Sequence, residues 1–153
     1  MRKILMKKII LIVMVSLFTT TVKSQILKPV KWSYAAKKTS STQAILYIKA
    51  SLESGWHIYA LNIPKGDQLK TIFTFSPEKT YKLKSKTLEP KPITKFEKTL
   101  DINVSYFEKS VVFNQKIQLA GSTATVKGEV EFMVCNDQQC LPRETLKFSI
   151  PVK

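Results

Sequence analysis

The sequence predicts an all-β protein folded as a β-sandwich. Three observations carry this. Apolar residues recur with a period of two rather than 3.6. Turn residues punctuate the chain at short intervals, leaving seven or so strand-length segments. No segment of the exported part carries a convincing amphipathic helix pattern.

The strands follow in order. Residues 25–30 form a lead-in. Ala44, Leu46, Ile48, Ala50 and Leu52 alternate with Ile45, Tyr47, Lys49, Ser51 and Glu53, and Gly55 breaks the run. Trp56 to Ala60 starts a second extended stretch, and Ile72 to Phe75 is a short strand stopped by Ser76-Pro77. Tyr81 to Leu88 is expected as another, ended by Pro90 and Pro92. Val111 to Leu119 belongs to a long strand, with Gly121-Ser122 as the following turn. Ala124, Val126, Gly128, Val130, Phe132 and Val134 then alternate with Thr125, Lys127, Glu129, Glu131, Met133 and Cys135. Leu146, Phe148, Ile150 and Val152 close the chain in the same rhythm. Such alternation buries one face of each sheet and wets the other.

The first 24 residues are read apart from the fold. Arg2, Lys3, Lys7 and Lys8 precede an apolar run from Ile9 to Phe18, then three threonines and Val22-Lys23-Ser24. This is the pattern of a secretory signal peptide, with cleavage expected after Ser24. The run is short for a membrane span of about 20 residues, which disfavours an uncleaved anchor. No cysteine follows it to receive a lipid. Residues 25–153 are expected as one exported domain, soluble and monomeric. Such a chain buries roughly two-thirds of its unfolded surface.

The whole chain has a net charge of +14, and residues 25–153 keep 20 basic against 11 acidic residues, or +9. In a cytosolic protein this would suggest nucleic acid. An exported protein seldom meets any, so no nucleic-acid partner is expected. Nine lysines between Lys65 and Lys98 read as a solubilising surface.

Several chemistries are excluded. No phosphate-binding glycine loop, nucleophile elbow or haem-attachment motif is present. One histidine and two cysteines cannot complete a zinc site without carboxylates. The acids occur singly, so a glycosidase pair lacks support. No cofactor is implied.

That leaves Cys135 and Cys140, which bracket the connection between the last two long strands. Four intervening residues allow a disulfide, and export permits one. An inert staple across the loop and a reactive pair are both open on these grounds. Two arguments weigh against the staple. A six-residue closed loop yields only about 2 kcal/mol in the chain-entropy model. Cys135 is also in phase with Lys127, Glu129 and Glu131, so its thiol is expected to face solvent, where a partner could reach it. Arg143 would favour a thiolate at Cys140, and Asp137 would oppose one nearby.

The run Glu131-Phe132-Met133-Val134-Cys135-Asn136-Asp137-Gln138-Gln139-Cys140-Leu141-Pro142, followed by Glu144, resembles the N-terminal periplasmic domain family of the thiol:disulfide interchange protein DsbD. Gly55 to Tyr59, Val104 to Glu108 and Phe113 to Lys116 share the resemblance, which spans about residues 28–152. It implies an immunoglobulin-like sandwich that passes electrons between thiol pairs. Cys140 matches the cysteine that forms mixed disulfides with partners, and Cys135 its resolving partner. A cap loop over the pair falls at Phe96 to Asn103, with Leu100 at the tip position, Phe96 as the substitute aromatic, and Glu97 and Asp101 as its acids. Tyr59, and less directly His57, match aromatics that line the site. The implied partners are thioredoxin-fold redox proteins. Because the family protein continues into a membrane domain and a thioredoxin-like domain, a membrane electron donor would act in trans.

His57 has no catalytic constellation around it in sequence and reads first as a packing residue. Trp32, Trp56 and Phe132 read as core. The reading from a different class is a non-catalytic exported sandwich that binds a protein or envelope component, with Cys135–Cys140 as a structural disulfide.

Overall fold

The computed structural model describes residues 27–98 and 101–153. The export segment expected at residues 1–24 therefore lies outside the described residues, as does Leu100. The described residues form eleven strands and no helix. They are β1 (Val30–Lys38), β2 (Gln43–Leu52), β3 (His57–Tyr59), β4 (Ile72–Phe75), β5 (Tyr81–Leu83), β6 (Ile93–Glu97), β7 (Ile102–Glu108), β8 (Ser110–Leu119), β9 (Ala124–Phe132), β10 (Val134–Cys135) and β11 (Glu144–Val152).

Three antiparallel sheets result. The first has the order β1-β2-β8-β5, the second β10-β3-β7-β6 and the third β11-β9-β4. Their inner faces meet in one core. Leu46, Ile48, Phe113 and Ile117 from the first sheet join Val126, Val130, Phe132 and Ile150 from the third and Ile58, Phe107 and Val134 from the second. Trp32 sits among Phe73, Phe113 and Phe132, its ring 5.2 Å from that of Phe132. Trp56 and Phe132 are buried, and Trp32 is half-buried against the same core.

One strand lies where the sequence reading assigned none, and one strand expectation needs correction. Residues 30–38 form a full strand, β1, paired along its length with β2. Its rhythm is half-buried rather than buried, because it lies at a sheet edge. The expected strand from Tyr81 to Leu88 stops at Leu83 and resumes only as a bridge from Leu88 to Asn114. The buried side chain of Gln115 interrupts it. Gln115 donates through Nε2 to the carbonyls of Ser85 and Lys116, at 2.9 Å each, and accepts from Thr87 Oγ1 at 2.8 Å. These bonds satisfy the amide away from water, and the backbone bulges around it.

The second sheet is covered on both faces, which matters for the cysteines. Ile58, Phe107 and Val134 point into the main core. Tyr59, Val104 and Cys135 point the other way and form a second small cluster with Ile63. Leu69, Ile102, Tyr106 and Met133 pack around it.

Candidate functional site

The cysteines sit on a tight hairpin at the end of β10. The chain runs directly from β9 through Met133 into β10, changing sheets as it does so. Cys135 pairs with His57 of β3 on one side and faces Cys140 across the hairpin on the other. Asn136 N–H donates to the Gln139 carbonyl at 2.9 Å, and Leu141 N–H to the Val134 carbonyl at 2.9 Å. The Asn136 side-chain oxygen accepts from the backbone N–H groups of Gln138 and Gln139 at 2.9 and 2.8 Å. An asparagine bonding its own loop is a common way to fix a turn. Cys135 and Cys140 are joined as a disulfide.

The two cysteines differ in exposure. Cys135 is 1% exposed, whereas Cys140 is exposed. The expectation of a solvent-facing Cys135 is thus corrected. Its phase was read correctly, since it points away from Val134 and the main core. That face is not wet at this point, because the second cluster and the hairpin itself cover it. Cys140 is the more accessible residue of the pair.

A groove of about 490 Å³ opens beside the pair. Its floor and walls come from alternate residues of the second sheet's outer face: His57 and Tyr59 of β3, Val104, Tyr106 and Glu108 of β7, and Lys95 and Glu97 of β6. Asp137 and its neighbours in the hairpin close the end next to the cysteines. The His57 ring lies 4.9 Å from that of Tyr106 and 5.4 Å from that of Tyr59, the latter edge-on. Burial lowers the pKa of His57, opposed by Glu108 and Asp137. The imidazole is therefore neutral near pH 7 and acts as an aromatic wall rather than a cation. Burial also raises the pKa of Tyr59, and Glu97 adds to this.

The structure thus brings together Cys135, Cys140, His57, Tyr59 and Glu97 of the residues singled out from sequence. Phe96 is not with them. It pairs with Asn103 on the β6–β7 hairpin, is 50% exposed, and does not line the groove. Asp101 is exposed at the hairpin turn with φ of 54° and likewise does not line it. Arg143 does not line the groove either. It donates to the carbonyls of Gln68 and Lys70, and lies 3.8 Å from the Glu131 carboxylate. It braces the loop before β4. Sequence reasoning missed Lys95, and it gave Tyr106 and Glu108 no role in the site. The alternation Val104-Tyr106-Glu108 was the available signal, because it shares a phase with the second cluster.

The family follows from comparison. The sequence model of the family described as "Thiol:disulfide interchange protein DsbD, N-terminal" matches residues 23–151. The chain belongs to this family. The DsbD N-terminal family assignment agrees with the fold. The reduced DsbD N-terminal domain of Neisseria meningitidis is similar in structure, with a TM-score of 0.53 and 12% identity over 82% of this chain and 89% of that one. The N-terminal periplasmic domain of ScsB from Proteus mirabilis gives a TM-score of 0.57 and 16% identity, covering 87% of this chain and 49% of that one. The same Neisseria domain, in its complex with the PilB N-terminal domain, gives 0.54 and 11% over 82% and 88%. No curated protein matches the chain. The fold is accordingly an immunoglobulin-like sandwich, and the chain is a thiol–disulfide interchange domain whose two cysteines stand at bonding distance.

Proposed function

We propose that this DsbD N-terminal-type domain is a periplasmic electron carrier that exchanges its Cys135–Cys140 disulfide with thioredoxin-fold proteins. The asymmetry of the pair carries the reading. Both cysteines line the groove, Cys140 as an exposed residue and Cys135 as a buried one. Thiol–disulfide exchange requires in-line access to one sulfur and a leaving thiol held nearby.

In the reducing direction, a partner thiolate attacks Cys140 Sγ. A bond forms between the partner's sulfur and Cys140, the Cys135–Cys140 bond breaks, and its electron pair leaves on Cys135 as thiolate. The partner's second cysteine then attacks its own sulfur in the mixed disulfide and expels Cys140. Two electrons have entered the domain, and the partner leaves as a disulfide. In the reverse direction a Cys140 thiolate attacks the partner's disulfide, and Cys135 resolves the mixed disulfide. The relative reduction potentials set the direction. His57, Tyr59 and Tyr106 shield Cys135 on its sheet face. Support for the partner class comes from the Neisseria relative, whose complex with the PilB N-terminal domain has been solved.

Equilibration in glutathione buffers tests this. The account expects a potential above about −300 mV, the level below which structural disulfides typically lie. A value below that level would make Cys135–Cys140 a staple and the domain a binding module.

A further inference from the structure

The first sheet turns its outer face away from the core with an unusual charge pattern. No Asp or Glu occurs in β1, β2, β5 or β8. The strand register lays the outward residues in rows. Lys31 stands across from Ser51, and Ser51 from Ser110. Ser33, Lys49 and Val112 form the next row, followed by Ala35, Tyr47 and Asn114. Lys37, Ile45 and Lys116 follow, and Lys84 extends that row through its N–H bond to the Lys116 carbonyl. Gln118 pairs with Lys82 in the last row. All six lysines are exposed, and none belongs to an ion pair among the described residues. Ile45, Tyr47 and Val112 are half-buried between them.

We infer that this face is a docking surface for an anionic phospholipid bilayer. Its charge has one sign and is spread over about 15 by 20 Å, at about 4.8 Å per strand and 3.3 Å per residue. Such a field suits a delocalised negative plane better than a single anionic group. Lysines carry it alone, and a lysine is a flexible point charge rather than a bidentate fork. The apolar ribbon of Ile45, Tyr47 and Val112, flanked by lysine stems, matches the headgroup boundary, where amphipathic side chains settle. The lysine face and the groove beside the cysteines lie on different sheets, the first and the second.

The test uses the full chain recovered from the cell envelope, in three forms: unaltered, Lys37→Gln/Lys49→Gln/Lys116→Gln, and Lys79→Gln/Lys127→Gln/Lys147→Gln. The second set removes equal charge from exposed lysines outside this face. Co-sedimentation is measured with vesicles of phosphatidylglycerol in phosphatidylcholine and of phosphatidylcholine alone. Lysine at an anionic surface contributes about fivefold in partitioning, so the face variant should lose about 100-fold on anionic vesicles. The control variant should lose far less, and binding should vanish at 1 M salt, where the screening length is about 3 Å. Equal losses in the two variants would overturn the inference, as would equal binding to both vesicle types by the unaltered chain. Retention on polyglutamate without binding to phosphatidylglycerol would overturn it in favour of an acidic protein. Matching circular dichroism of the three forms keeps misfolding out of the comparison.

Discussion

Reducing the disulfide should leave the domain folded and only modestly weaker. The cross-link closes a loop of six residues, counted from Cys135 to Cys140. Chain-entropy reasoning gives such a loop about 2 kcal/mol. Native domains commonly hold about 5–15 kcal/mol in total. The hairpin also has other restraints. The bonds from Asn136 to Gln139 and from Leu141 to Val134, and the two accepted by the Asn136 side chain, do not depend on the sulfurs. The main core of Leu46, Phe113, Val130 and Phe132 lies in separate packing from the second cluster that holds Cys135. By linkage, about 2 kcal/mol corresponds to a fold-dependent lowering of the potential by about 40 mV, small for a structural bond. Urea unfolding of the oxidised chain and of the Cys135→Ala/Cys140→Ala variant reads the difference directly. The expected result is a lowered midpoint, an unchanged slope, and a loss of about 2 kcal/mol. Collapse of the variant to an unfolded chain, or a loss above about 4 kcal/mol, would refute the reasoning, because removing a structural disulfide from a small secreted domain costs as much as that.

Other outcomes follow from single side chains. Arg143→Ala should cost about 0.5–1.5 kcal/mol through the lost bonds to the carbonyls of exposed Gln68 and part-buried Lys70, while the rate of exchange at Cys140 stays within about twofold, as thermal melts and stopped-flow exchange would show; a large rate loss in a stable protein would restore a thiolate-activating role. For His57, the folded pKa lies below its ordinary value of about 6.5. The unfolded chain then binds more protons, so stability is full above that value and falls as the pH drops towards the folded pKa. His57→Gln should flatten this part of the pH–stability profile, and an unchanged slope between pH 7 and 5, in denaturant titrations, would contradict it. Gly128→Ala should destabilise by about 1–3 kcal/mol, since a Cβ there would lie 2.5 Å from the Thr74 carbonyl oxygen and 2.6 Å from the Phe148 ring; a neutral urea midpoint would mean that β4 and β9 can separate freely.

Much of the fold was legible because one wet face per strand writes itself as alternation. β2, β8, β9 and β11 show it. β1 carries the same signal, with Trp32, Tyr34 and Ala36 against Lys31, Ser33 and Lys37, but it follows a lead-in and half of it stays accessible. The break after Leu83 was not legible, because it depends on where the Gln115 amide finds partners thirty residues away. At the site, the cysteine spacing was plain, and the phase of Cys135 was right. Its burial was not legible. Phase tells which face a residue occupies, not what lies over that face, and here residues from β3 and β7 and the Ile63 loop cover it. Lys95 was missed for a related reason. β6 is an exposed edge strand, and nothing in its composition ties Ile93-Thr94-Lys95-Phe96-Glu97 to a groove made by other strands.

The central claim is that electrons pass through Cys140, with Cys135 resolving. Trapping with single-cysteine variants tests it most directly. Each variant is incubated with an oxidised thioredoxin-fold protein and resolved on non-reducing and reducing gels. With Cys135→Ala, Cys140 remains exposed and the resolving thiol is gone, so a mixed disulfide should accumulate. With Cys140→Ala, the remaining thiol is 1% exposed on a strand paired with β3, and little should be trapped. Equal trapping by both variants would contradict the assigned roles, and trapping by neither would contradict thiol exchange as the function of this domain.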